Sequence, residues 1–311
     1  MREIKTGGNY ATPRRIVAAL GAYLIVDLLA VYFWSSAGPV LSIQAPSDSN
    51  STLPVTAMAG VGLWLCLRVL RSFPVGSPLR SAWMLIAFAA AAQAGSGVMA
   101  ELLGSDWVLN PLLWTGSVQP ALLAHIRLGA LIAAGPIRQA ALAGALLAAL
   151  RTLRKFGFCG RPSATDWAVC GIACLFSLCR FAEAGAASLA GRETSMQNWI
   201  SLASLPLLCV LFLEAMLLTQ AVLRMGSGPV ARCWSAFVWG IFSIGLTELA
   251  LWLVPHYSRA PLGMVESLAR FLTAAIFALA PAYQLAAQAW AMKMASRAEE
   301  NLATEAPAVA R

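Results

Sequence analysis

The sequence predicts an all-α fold: a polytopic integral membrane helix bundle of about eight transmembrane helices with both termini cytoplasmic. Three observations carry this. Hydrophobic residues make up 59% of the 311 positions and charged residues only 12%, about half the roughly 25% charge of a soluble domain. Mean hydropathy is +0.71. Apolar runs of about 20 residues, enough to cross a hydrocarbon core about 30 Å thick, recur along the whole chain. The basic residues between those runs sit in alternate loops, which is how cytoplasmic loops are marked. A soluble enzyme, a disordered chain and a secreted disulfide scaffold are thereby excluded.

In chain order, the first run is Ile16–Trp34. It follows Arg14-Arg15 and looks at first like a targeting signal. At some 19 residues it exceeds the roughly 7–15 of a signal core, so it reads as an uncleaved span. The external loop Ser35–Thr52 is rich in Ser, Asp, Asn and Pro and holds the sequon Asn50-Ser51-Thr52. Further runs follow at Leu53–Leu70, Ser81–Leu103, Trp167–Ala190, Trp199–Leu223, Trp234–Val254 and Val265–Met292, with another inside Pro120–Leu150. That last stretch continues to Lys155 and as one helix would be about 54 Å long, well beyond a single crossing. Gly135-Pro136 is either its natural break, leaving 119–134 to span, re-enter or lie on the interface, or a plain proline kink in one tilted helix. The organisation is then a cytoplasmic segment 1–15, a single transmembrane domain 16–292 and a polar cytoplasmic tail 293–311.

Sixteen of the 22 basic residues fall on one side, in the loops around Arg14, Arg71, Arg154, Arg224 and Arg297. The formal net charge of +8 is therefore a topology signal, and its expected partners are anionic lipid headgroups rather than nucleic acid. A second copy or a membrane subunit is a further expected partner. With only three lysines and abundant Arg and Ala, the expected location is a cell membrane, the bacterial inner membrane by composition. A hairpin-level repeat shows in Leu67-Arg68-x-Leu70-Arg71-x-Phe73 and Leu150-Arg151-x-Leu153-Arg154-x-Phe156. Each is followed by a Gly/Pro loop and an expected interfacial tryptophan, Trp83 or Trp167. Arg224, a Gly/Pro loop and Trp234 repeat the arrangement.

The charges inside the spans are the functional signal, because each costs about 2.5–3.5 kcal/mol near the bilayer centre even on the mildest scale. Counting about 1.5 Å per residue from the cytoplasmic anchors, Asp166 for Arg180 and Glu183 and basic residues for the others, places Asp27, Arg138, Arg180, Glu183 and Glu248 about 18–25 Å up, in the outer half. Glu214 lies about 15 Å above Arg224, and Glu101 near the outer boundary with Glu266 and Arg270. Arg180 with Glu183, and Glu266 with Arg270, have helical spacing for pairing. Arg138 has no such neighbour and is expected to reach Asp27, Glu101 or Glu248. Glu214, with no basic residue within a turn, reads as a proton carrier or as a neutral carboxyl bonded to Gln220 or to another helix. Two accounts stand side by side: salt bridges that hold the bundle, or a water-filled cavity open outward.

Chemical motifs are sparse. His125 and His256 are the only histidines, and neither sits where a haem ligand would. Ala94-Gly95-Ser96-Gly97 resembles the nucleophile helix of rhomboid proteases only in part: its first glycine is Ala94, and no later span carries a histidine. Small residues there suit close helix packing. Cys179 beside Arg180 is a weak nucleophile candidate, and Cys170 with Cys174 share a face without further metal ligands. No metal or cofactor is expected. The leading expectation is transport or permeation of a small polar or ionic solute through an outward-facing polar cavity, with proton coupling at Glu214 or Asp27. The alternatives are a membrane enzyme acting on a lipid-linked substrate at the outer face, or a non-catalytic scaffold or sensor subunit.

Overall fold

The computed structural model describes residues 13–23, 25, 53–104, 120–158, 162–189, 196–253 and 259–309. Among them there are helices and turns and no strands. We number the helices α1 (described over 13–23), α2 (Leu53–Ser72), α3 (Pro78–Gly104), α4 (Pro120–Lys155), α5 (Ala164–Leu189), α6 (Met196–Met225), α7 (Pro229–Leu253) and α8 (Arg259–Val309). Six of them, α2, α3 and α5 to α8, are long and apolar enough to cross a membrane. The chain is a polytopic helical membrane bundle.

The helix ends are specified locally. At the end of α4, Gly157 takes φ 77°, a left-handed conformation that costs a residue without Cβ little. This lets Phe158 N–H donate to the Leu153 carbonyl and Gly157 N–H to that of Arg154, each at 3.1 Å. The pair is a Schellman cap that satisfies carbonyls the helix cannot reach. α5 starts on a reciprocal capping box: Ser163 N–H donates to Asp166 Oδ2 at 2.6 Å, and Asp166 N–H to Ser163 Oγ at 3.3 Å. Such a box matches two otherwise unsatisfied donors at once.

Helix pairing closes a ring. α2 packs on α3, α3 on α4, α4 on α6, α6 on α7, α7 on α8, and α8 returns to α2. α5 packs on the outside of α6, and α1 meets the ring where Tyr23 stacks on Phe271 of α8 with centroids 3.9 Å apart. In lipid there is little hydrophobic gain from bringing apolar helices together, so close packing must hold the ring. Its small residues allow this. A Cβ on Gly97 of α3 would collide with the Thr56 side chain of α2, and one on Gly62 of α2 would touch Ala278 of α8 at 3.7 Å.

The Arg-rich end of the ring is filled with large apolar side chains. Trp83, Leu146, Leu218, Trp234, Phe237 and Ile241 are each under 2% exposed and belong to one core. Trp83 and Trp234 lie 6.1 Å apart, and Phe237 sets its edge against Phe277 at 5.2 Å. The three tryptophans that follow the basic loops differ in burial. Trp83 and Trp234 are core residues, and only Trp167 is exposed. The cause is position: α3 and α7 are ring members, whereas α5 lies outside and presents Trp167, Ile172, Leu175, Leu178 and Phe181 to its surroundings.

For α4 the structure favours the single helix over the broken one. It runs unbroken from Pro120 to Lys155 with Pro136 inside, so Gly135-Pro136 does not split it. Neighbouring helices and small local adjustments absorb the lost hydrogen bond, as proline in membrane helices commonly requires. Arg138 is therefore mid-helix rather than in a first turn. At the other terminus, the tail continues α8 as a single helix of 51 residues, about 77 Å long, and from Trp290 to Glu299 every residue is exposed.

Candidate functional site

Above the apolar plug, each of the six ring helices contributes a polar side chain at similar depth. Counted from the nearest basic residue at the Arg-rich end, Thr56 of α2, Gln93 of α3, Arg138 and Gln139 of α4, Glu214 of α6 and Ser243 of α7 lie about 15–20 Å along their helices. Thr273 of α8 joins them, its hydroxyl 2.9 Å from that of Ser243. A bilayer core is about 30 Å thick, so this layer sits near mid-membrane.

The layer is incompletely satisfied. Ser243 donates to the Gly240 carbonyl and Thr273 to that of Ala269, each at 2.8 Å, which spares these hydroxyls the cost of burial. The Arg138 guanidinium donates through Nη1 to the side-chain oxygen of Gln93. In contrast, Glu214 Oε2 and Gln139 Oε1 are buried with no hydrogen-bond partner among the described residues. An unmatched buried acceptor costs about 1–3 kcal/mol, more when charged. Two at one depth therefore point to a missing partner: water, a proton or a bound solute.

Helix geometry puts these two residues on facing sides. At about 100° per residue, Gln139 lies some 140° around α4 from Gly144, whose open side abuts Leu85 of α3. On α6, Cys209 points to α5, where it meets Ser177 Oγ at 3.1 Å, and Phe212 points to α7, against Phe242. Glu214 lies about 140–160° from both, toward α4, the remaining ring neighbour of α6.

Of the residues singled out from the sequence, Arg138 and Glu214 belong to this layer. Glu183 is exposed on α5, outside the ring. The helical backbone places Glu101 at the end of α3, Arg180 on α5 and Glu248 on α7, but their side chains, and the whole of Asp27, lie outside the described residues. The Arg180–Glu183 and Glu266–Arg270 pairings are outside them for the same reason. Among the described residues Arg138 donates to the Gln93 amide, while its expected partners Asp27, Glu101 and Glu248 have side chains outside them. Gln220, expected as a bonding neighbour of Glu214, instead donates to Asp166 Oδ2 and ties the start of α5 to α6.

Gln93, Gln139, Ser243 and Thr273 were missed because formal charge alone ranked the candidates. For Gln93, Gln139 and Ser243 the signal was available, as uncharged polar residues on several spans at one distance from the basic anchors; Thr273 joins them only through its contact with Ser243. Other chemistry finds little support. Ser96 donates to the Gln93 carbonyl at 2.9 Å, a helix back-bond rather than a nucleophile's pairing with a base. Cys179 is exposed on α5, and no group of three or more His, Cys, Asp or Glu among the described residues is placed to hold a metal ion. Comparison with protein-family models, with curated proteins and with solved structures gives no match.

Proposed function

We propose that this chain carries a small polar or ionic solute across a membrane, with the mid-membrane layer as the binding site and Glu214 as the proton-exchanging group. The observation behind this reading is the pair of buried, unmatched oxygens on Glu214 and Gln139 at one depth on facing helices. A proton on Glu214 would give that carboxyl a donor, and a solute with both donor and acceptor groups would bridge it to Gln139. Arg138, which donates to Gln93, adds a further donor-bearing side chain at the same depth. The dry plug of Trp83, Trp234 and Phe237 below the layer favours a carrier that changes conformation over an open pore. The location that goes with this reading is a bacterial inner membrane, with the Arg-rich end and both termini cytoplasmic.

The test is proton movement in proteoliposomes loaded with a pH-sensitive dye and challenged with small organic acids, amino acids and inorganic anions. The wild-type chain is expected to move protons with one of these classes. Glu214→Gln is expected to bring coupled movement to the protein-free baseline while the chain stays folded. Unchanged coupling in that variant would remove Glu214 from the mechanism, and no response to any solute would sink the carrier reading.

A scaffold reading has one observation in its favour, the completeness of the same apolar plug. Labelling separates the two. In a carrier, Gln139→Cys reacts with a small membrane-impermeant thiol reagent; in a sealed scaffold it does not.

A further inference from the structure

A second polar feature lies at the opposite depth. At the Arg-rich end, between α1, the α6–α7 turn and α8, the structure holds a cavity of about 600 Å³, within the roughly 300–1,000 Å³ of small-ligand sites. Arg14 of α1 and Arg232 of α7 are both on its wall, with Ser227 in the turn, Tyr283 and Trp290 of α8, and Val17 below Arg14. No acidic residue lines it among the described residues. Neither guanidinium makes an ion pair or hydrogen bond among the described residues, so two permanent positive charges face one concavity with no described counter-ion.

The rest of the wall narrows the ligand class. Apart from Ser227 and the Tyr283 hydroxyl, its surface is apolar, from Pro13, Val17 and Ala18 on one side to Ala286 and Trp290 on the other. The cavity is thus amphipathic, with two guanidinium groups beside an apolar wall set against membrane-spanning helices. Guanidinium groups pair with phosphate through two parallel hydrogen bonds. The first turn of α7, at Pro229–Arg232, adds its positive helix end. Tyr and Trp are the side chains that sit at headgroup level.

We infer that this cavity binds the phosphate ester of an anionic phospholipid, gripped by Arg14 and Arg232, with the first part of its acyl chains along Val17 and Ala286. The ligand chemistry is a phosphate ester. A free phosphate would satisfy the two arginines equally but would gain nothing from the apolar wall, and for that reason the lipid is the source assigned. Basic pockets between spans on the cytoplasmic side recognise anionic lipids in this way. The site is independent of the carrier layer, which lies deeper on other faces of the ring.

The experiment is native mass spectrometry of the full chain released from detergent, with phosphatidylglycerol, phosphatidylcholine or sodium phosphate added at equal concentration. One phosphatidylglycerol is expected to be retained in preference to phosphatidylcholine. Arg14→Gln with Arg232→Gln is expected to lower that retention about 30-fold, from two membrane-proximal charges. Arg71→Gln, an exposed arginine outside the cavity, is expected to leave it unchanged. Should the double variant fold poorly, Ala18→Trp keeps both arginines and fills the cavity, and it too is expected to lose the lipid. Equal retention of phosphatidylcholine, equal occupancy by inorganic phosphate, or full retention by a folded double or Ala18→Trp variant would each overturn the assignment.

Discussion

Arg138 shows how a single residue can be accommodated where its charge is most costly. It lies near mid-membrane on α4, and its guanidinium donates to the neutral oxygen of Gln93 on α3. That bond supplies one of the guanidinium's five donors with a partner. Gln93→Leu should therefore destabilise the folded chain by about 1.5–3 kcal/mol, the range for a hydrogen bond to a charged group. Gln93→Glu, which keeps an acceptor in place, should not. Thermal unfolding of both variants in the same detergent checks this, and equal stability of Gln93→Leu and the parent would show that the bond contributes nothing. The sequence revealed Arg138 through its charge and hid Gln93, because a lone glutamine in an apolar run carries no marker of its own. The same holds for Gln139 facing Glu214. The charged half of the layer was legible, whereas the neutral half needed the helices to be brought side by side.

For whole helices, run length and basic flanks mark the spans well, because lipid admits few alternatives for a backbone that must satisfy its own hydrogen bonds. The six helices fit to span begin and end within a few residues of the apolar runs, apart from the long continuation of α8. What the runs do not encode is partnership. Trp83 and Trp167 occupy equivalent places after similar Arg-rich loops, yet one is buried and the other exposed. Nothing in either run says which helix joins the ring. Small residues mark the closest approaches better. Gly97, in the Gly/Ser/Ala-rich part of α3, has no room for a Cβ against Thr56. Gly97→Val should force α2 and α3 apart and cost about 1–3 kcal/mol, as overpacking commonly does. Gly95→Val, two residues away in open space, serves as the control. Similar melting temperatures for the two variants would remove the close contact as a determinant of the α2–α3 pair.

For the molecule as a whole, the decisive feature is that the ring closes. A closed ring explains why polar side chains from six helices can meet in one layer, and why the plug beneath them is sealed on all sides. An open row of helices would leave its two edge members exposed to lipid, and the layer would have no enclosed face for Glu214 and Gln139 to share. The closing contact joins α8 to α2, helices separated by most of the chain, and it rests on Gly62 against Ala278. A Cβ placed on Gly62 lies 3.7 Å from that of Ala278, inside the roughly 3.5–4.5 Å that a disulfide spans. With the native cysteines replaced, Gly62→Cys combined with Ala278→Cys should therefore form an intramolecular crosslink under mild oxidation, seen as a mobility shift that reduction reverses. The pair Gly60→Cys with Ala278→Cys should not, since Gly60 faces open space. Failure of the first pair to crosslink in a folded chain would open the ring, and with it the enclosed layer on which the carrier reading depends. If the crosslinked chain also loses solute movement that reduction restores, the α2–α8 contact is a moving part of the carrier as well as its seam.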